Sequence, residues 1–233
     1  MKIHRFYTPS LMLDHSLWVR ESELLHQWTK VLRFRPGQEV VLFDGVQHDK
    51  LYKITEITKN EVHLEYMTDY QRRLPSKNVY LFWSLLKKDK NDWVLQKGTE
   101  LGVSHFVPLL ADRSEKTGFN IERAKKIVIE AAEQCERSDI PAIRDAMHVA
   151  KAIEQYKDKA TLYICEQGSE STHIDSENIG VLIGPEGGWS DAEKQLFADQ
   201  NISHLPLHDF TLRAETAAIS AVLKILQDRK SVV

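Results

Sequence analysis

The hydrophobic pattern of this chain changes character across one polar stretch, Thr68 to Asn78, which contains Pro75 and has no apolar periodicity. That change is the strongest constraint on the fold, because a single sandwich or a single helical bundle would keep one period throughout. Upstream, short strand-like runs predominate. Gln38 to Phe43 ends at the turn dipeptide Asp44-Gly45, Leu51 to Ile57 is followed by Lys59-Asn60, and Val62, Leu64 and Tyr66 alternate with His63 and Glu65. Such alternation between turn signals predicts antiparallel strands with one buried face. One helix is expected from Ser22 to about Leu32, with Leu24, Leu25, Trp28, Val31 and Leu32 on its apolar stripe, before Arg35-Pro36-Gly37 turns the chain into the sheet. Residues 1–72 therefore read as a small β-rich, barrel-like domain.

Downstream, strands and helices alternate. Val79 to Leu86 is a continuous apolar run, as expected of a strand covered on both faces. A helix from about Asp92 carries Val94, Leu95 and Leu101 and stops at Gly102, a residue suited to the left-handed position past a helix end. Ser104 to Leu109 is the next strand, and Asn120 caps a helix that places Ile121, Ala124, Val128, Ala131 and Cys135 on one face. Thr161 to Cys165 and Ile179 to Ile183 are further buried strands. Ser190 and Glu193 have the spacing of a capping box and open a helix to about Gln200. Ile202 to Leu207 is the last strand, and Glu215 to Gln227 a closing helix. Repeated βα units over residues 73–233 predict a mostly parallel sheet with helices on both faces.

Composition narrows the function classes. Two cysteines, Cys135 and Cys165, form no CxxC pair, which excludes a zinc ribbon, an iron–sulfur site or a disulfide scaffold, and the ten histidines show no ligand-like spacing, so no metal is expected. No apolar run reaches the roughly 18 residues of a membrane span, and the Met1-Lys2-Ile3-His4-Arg5 start lacks the apolar core of a signal peptide. A cytoplasmic protein with no membrane partner is the expectation. The formal net charge is −3, and residues 1–73 hold 11 basic against 10 acidic side chains. This balance excludes a general nucleic-acid binder held by bulk phosphate attraction, and leaves room for one that reads a shaped target.

The phosphate loop GxxxxGK[ST], the dinucleotide motif GxGxxG, HExxH and GxSxG are all missing. Two other segments carry chemistry. In Ile179 to Ser190, a buried strand runs into Gly184-Pro185-Glu186-Gly187-Gly188 and straight on into a capped helix. Ligands of open α/β sheets bind beyond the carboxyl ends of strands, and glycines there let the backbone approach closely. Glu186 argues against a phosphate and for a neutral or cationic ligand. In Leu205 to Ala218, a strand ends near Leu207, an irregular loop follows, and a helix begins around Glu215. Glu215 and Thr216 suit the first turn of a helix, whereas Arg213 just before it is placed to stabilise an anion.

The pairing of GPEGG (184–188) with LRAETA (212–217) resembles the RsmE family of 16S ribosomal RNA uridine-N3 methyltransferases, of the SPOUT superfamily. The likeness extends along the chain: His4-Arg5-Phe6, Val31-Leu32-Arg33 with Pro36-Gly37, Gln96 to Val103, Asp112-Arg113-Ser114, and Glu130 to Gln134 with Arg137 and Pro141 all resemble family blocks. The chain departs from the family's LG-x-RILR before ETA, with His208 where the glycine is expected and Phe210 where an earlier arginine is expected.

The resemblance implies a PUA-like RNA-binding β-barrel over residues 1–72 and a SPOUT methyltransferase domain over 73–233, with a deep trefoil knot and the cofactor site at about 180–220. It implies S-adenosylmethionine as cofactor, held by Ile183, Gly184, Pro185, Glu186, Gly187, Gly188, Leu205, Leu207, Leu212, Ala214 and Thr216, and a homodimer as the working unit. The reaction implied is methylation of N3 of one uridine, numbered 1498 in the family, of 16S ribosomal RNA, with an assembled small subunit as the expected partner. Loss of the N3 proton builds negative charge on the base. Arg213 and then Arg113 are the expected stabilisers, while Glu215, Glu186 and Asp112 remain alternative bases. For RNA the candidates are Arg5, Trp28, Lys30, Arg33 and Arg35, with Lys2 and His4 nearby, since cationic and aromatic side chains suit unpaired nucleotides. A catalytically silent RNA-binding assembly factor of the same fold is the alternative.

Overall fold

The computed structural model describes residues 3–115, 118–165, 174 and 176–227; Lys2 lies outside them. The chain packs into two compact units, Met1–Leu74 with Ala132–Ile140, and Pro75–Ala131 with Pro141–Val233.

The first unit is built on a five-stranded sheet of β1 (His4–Tyr7), β2 (Ser16–Val19), β3 (Glu39–Phe43), β4 (Asp49–Ile57) and β5 (Val62–Asp69), in the order β1-β3-β4-β5-β2. The meander β3-β4-β5 is antiparallel as its alternation predicts, and its first turn is held by the Asp44 carboxylate, which accepts from the N–H groups of Val46, Gln47 and His48. The pairing of β1 with β3, however, is parallel. A parallel neighbour needs a crossover, supplied here by β2 and the helical segment. One face of the sheet packs Phe6, Val40, Leu42, Tyr52, Ile54 and Leu64 around Trp28.

The expected helix from Ser22 to Leu32 is two structures in succession. Helix α1 (Ser22–His26) passes into a π-helical turn, Gln27–Val31, in which the Leu32 N–H reaches back to the Gln27 carbonyl at 2.8 Å. The wider turn rotates the stripe: Trp28 is fully buried, but Val31 points outward at 64% exposure. Arg33 follows in the left-handed region, with φ of 55°.

The second unit is α/β. It contains β6 (Asn78–Ser84), α2 (Lys88–Leu101), β7 (Val103–Leu110), α3 (Ile121–Cys135, whose last residues belong to the first unit), β8 (Ala142–Ile143), β9 (Met147–His148), α4 (Val149–Tyr156), β10 (Thr161–Ile164), β11 (Asn178–Ile183), α5 (Asp191–Asp199), β12 (Ser203–His204) and α6 (Ala214–Gln227). The sheet order is β12-β10-β11-β6-β7-β8, with β9 also on β7, and every pairing among the described residues is parallel. Helix α2 ends on Gly102 with φ of 103°, and Asn120 accepts from the Arg123 N–H at 2.9 Å as the cap of α3. Helix α4 adds to the expected elements; Val149, Ala152, Ile153 and Tyr156 form its buried face. The last strand is shorter than the expected Ile202 to Leu207, because the ladder with β10 covers Ser203 and His204 and ends with the hydrogen bond from the Leu205 N–H to the Ile164 carbonyl.

This order positions the site. From β6 the chain leaves for β7 on one side, while β11 returns on the other side of β6. The carboxyl ends of β6 and β11 therefore flank a switch point, where loops diverge and leave a crevice.

Candidate functional site

At that switch point Ile183 pairs with Trp83, and the Ser84 hydroxyl donates to the Ile183 carbonyl at 3.1 Å. The Gly184–Gly188 loop leaves from there. A Cβ on Gly184 would stand 3.1 Å from the ring of Trp189, which is itself buried against Phe197 at 5.0 Å between ring centres. The loop lies on an indole, and a side chain at Gly184 would press on it, so that one of the two must give by a few tenths of an ångström. Gly188 turns the chain with φ of 69°, its N–H donating to the Pro185 carbonyl, and the space where its side chain would stand is open. Glu186, Gly187 and Gly188 face solvent.

The capping box at the start of α5 has a second use. The Ser190 hydroxyl and the Glu193 carboxylate exchange bonds with each other's backbone N–H groups. The other oxygen of Glu193, a buried residue, accepts from the Asp112 N–H at 3.0 Å. The Ser190 hydroxyl also donates to the Asp112 carboxylate. The loop after β7 is thereby fixed to the loop after β11, and Arg113 Nη1 reaches the Gly187 carbonyl at 3.1 Å.

The third segment follows β12. The Leu205 N–H donates to the Ile164 carbonyl, and the Leu205 side chain is fully buried in the core. Leu207, His208, Phe210, Thr211, Leu212 and Ala217 surround a cavity of about 210 Å³ whose far wall is Cys165. Burial pushes the Cys165 thiol well above its ordinary value, so it is a neutral, apolar wall. His208 and Phe210 stack at 5.2 Å, and the Phe210 N–H donates to His208 Nδ1. The two departures from the family pattern thus build a turn together. Ala214 is buried at the start of α6, Glu215 is half-buried, and Arg213 and Thr216 are exposed; the Arg213 guanidinium has no ion pair among the described residues.

Lys90, in the first turn of α2, joins these segments: its ammonium lies 3.1 Å from Glu215 Oε1 and 3.8 Å from Glu186 Oε1. Asn91 anchors the same turn. It accepts from the Leu86 N–H and from the Trp83 indole, and donates to the Leu86 carbonyl. Reading the sequence missed Lys90, Asn91, Cys165 and Glu193. Lys90 carried one usable signal, its place just beyond the carboxyl end of the apolar run Val79 to Leu86.

Of the residues expected to touch RNA, Lys30, Arg33 and Arg35 are exposed along the π-turn and the bend after it. Two expectations are corrected. Trp28 is fully buried, 5.1 Å from the ring of Phe6, and offers no face to a base. Arg5 is buried too, paired with Asp49 and lying 5.0 Å from the centre of the Phe43 ring. In a strand, neighbours alternate between faces: Phe6 enters the sheet core, and Arg5 faces the side covered by residues 136–140, where Ser138 donates to Asp49. Among the described residues no group of His, Cys, Asp and Glu could hold a metal ion, and no helix is long and apolar enough to cross a membrane.

Comparison with known proteins places the chain in a family. Residues 72–226 match the RNA methyltransferase domain family, and residues 29–65 match an RNA methyltransferase PUA domain. The chain is 29% identical over 234 residues to the ribosomal RNA small subunit methyltransferase E of Rickettsia conorii, covering 97% of this chain and 96% of that one. It is 31% identical over 173 residues to the Helicobacter pylori protein of the same name, covering 72% and 75% of the two chains. The crystal structure of the Neisseria gonorrhoeae methyltransferase E bound to S-adenosylmethionine superposes with a TM-score of 0.85 at 26% identity, over 96% of this chain and 97% of that one.

Proposed function

The chain belongs to the RNA methyltransferase family, and within it to the small-subunit methyltransferase E group, and from that premise we propose that it transfers a methyl group from S-adenosylmethionine to N3 of one uridine of 16S ribosomal RNA. The observation that carries this reading is the convergence of three loops at the β6/β11 switch point: the glycine-rich loop, the Asp112-Arg113 loop pinned to it, and the segment that leads into α6.

The residues present fit the cofactor. The open side of Gly188 leaves backbone accessible, and the cavity walled by Leu207, Leu212, Ala217 and Cys165 is apolar enough for an adenine and too lean in cations for a phosphate. Residues Ile183 to Gly188, Leu205 to Leu207, and Leu212, Ala214 and Thr216 would hold S-adenosylmethionine, Leu205 through its backbone alone. When bound, S-adenosylmethionine supplies a methyl group already activated on a sulfonium. The protein's work is then to position the base and to stabilise the charge left by its N3 proton. Arg213 is the group we assign to that charge, since it is exposed and has no ion pair among the described residues, while the Arg113 guanidinium is partly committed to the Gly187 carbonyl. The candidate bases are all engaged: Glu215 and Glu186 face Lys90, and Asp112 accepts from Ser190.

The first unit we assign to RNA, through Lys30, Arg33 and Arg35 on one exposed bend. An assembled small subunit is the partner that suits a nearly neutral unit with only this local cationic surface. Phe210 at 74% exposure and Leu223 at 39% support a homodimer formed through the region of α6. The SPOUT knot and a cytoplasmic location remain part of this reading, and so does a division into domains near residue 72.

Mass spectrometry of ribosomal RNA from cells lacking the protein tests the proposal. One N3-methyluridine of the small-subunit RNA should disappear and return on complementation with the wild type, and it should return weakly with Arg213→Ala. An unchanged methylation pattern would overturn it.

A further inference from the structure

We propose that Lys90 is a positioning residue that clamps the two cofactor loops together through Glu186 and Glu215. The inference rests on the methyltransferase reading and deepens it. Lys90 stands 3.1 and 3.3 Å from the two oxygens of Glu215 and 3.8 Å from Glu186. The side chains of Lys90 and Glu215 are only 23% and 15% exposed, so this half of the clamp is shielded from solvent ions, whereas Glu186 is half exposed and more weakly held.

The placement of Lys90 argues that the contact is its purpose. It sits in the first turn of α2, where the helix dipole disfavours a cation. Helix α2 gains nothing locally from a lysine there, and the nearest carboxylate in its own first turn, Asp89, is exposed. Glu215, in the first turn of α6, would be favourable there without any lysine. What the ammonium adds is a tie between α2, the loop after β11 and the start of α6. The start of α2 is rigid enough to serve as the anchor, because Asn91 closes the preceding turn through three hydrogen bonds.

The test compares Lys90→Met, Lys90→Arg and Glu215→Gln. In the cofactor-free protein, hydrogen–deuterium exchange at residues 184–189 and 213–217 should accelerate in Lys90→Met and stay near wild type in Lys90→Arg. Calorimetry should find S-adenosylmethionine bound about tenfold more weakly by Lys90→Met and within about threefold of wild type by Lys90→Arg. Because the two residues act as one bridge, Lys90→Met combined with Glu215→Gln should be no worse than Lys90→Met alone. Unchanged exchange in Lys90→Met, or losses that multiply in the double variant, would overturn the clamp. A wild-type protein that neither binds S-adenosylmethionine nor methylates RNA would instead overturn the functional reading, and the exchange data would still decide the clamp by themselves.

Discussion

His105 on β7 shows how a single side chain can set a property that its sequence neighbours do not suggest. Its ring stacks on Tyr80 at 4.1 Å and 10°, and its Nδ1 is buried without a hydrogen-bond partner among the described residues. Burial first, and the positive charge of Arg144 second, hold its pKa below the ordinary 6.5. The unfolded chain therefore takes up a proton at a higher pH than the folded one does. Stability contributed by neutral His105 is complete above about pH 6.5 and falls as pH drops through that value towards the folded pKa. Urea unfolding midpoints between pH 5 and 8 should show this decline, and His105→Gln should flatten part of it. An equal slope in both proteins would remove His105 as the cause. In the sequence His105 is one of ten scattered histidines, and nothing local separates it from exposed ones such as His26. Arg5 teaches the same lesson in the opposite direction: a terminal arginine reads as a phosphate contact until the residues that cover it are known.

At the scale of elements, start and stop signals were the most legible features. Asn120, Gly102 and the Ser190–Glu193 box all act where their residue types predict, because caps answer a local need, the unpaired backbone groups at helix ends. The π-turn after α1 was not legible, since its apolar stripe fits an α-helix equally well and only packing of Trp28 against Phe6 and Phe34 selects the wider turn. The second use of the capping box was also hidden. Glu193 bonds the Asp112 N–H, 81 residues away in sequence. Glu193→Ala removes the acceptor of two N–H groups in a buried setting and should cost roughly 2 kcal/mol, about 1 for each bond. Thermal unfolding checks this. A variant as stable as wild type would mean that water replaces the carboxylate, and that Arg113 is not positioned through it.

At the scale of the whole molecule, the first unit is completed by a segment borrowed from later in the chain. Residues 132–140 belong to it, and there Ser138 and the Arg137 carbonyl join the buried Arg5–Asp49 pair, with Arg72 at 3.5 Å on the other carboxylate oxygen. Removing one partner of such a pair strands the other charge, so Asp49→Ala should lose about 3–5 kcal/mol, while replacing both, Arg5→Met with Asp49→Leu, should lose less. Denaturant titration of the full chain decides it; a double variant worse than the single would show that the network matters beyond its charge balance. The sequence by itself determined a β-rich first part, a parallel α/β second part and the capped helix ends, and it singled out the two loops proposed to carry the chemistry. All of these follow from periods and caps that extend over a few residues. Only the tertiary structure decided which face of β1 is covered, that β1 runs parallel to β3, that a lysine on α2 joins the two loops, and that Arg213 has no ion pair among the described residues while the nearby carboxylates are engaged. Each of those depends on segments some 35 to 135 residues apart meeting in space, and contacts at that separation leave no period in the chain for a reader to find.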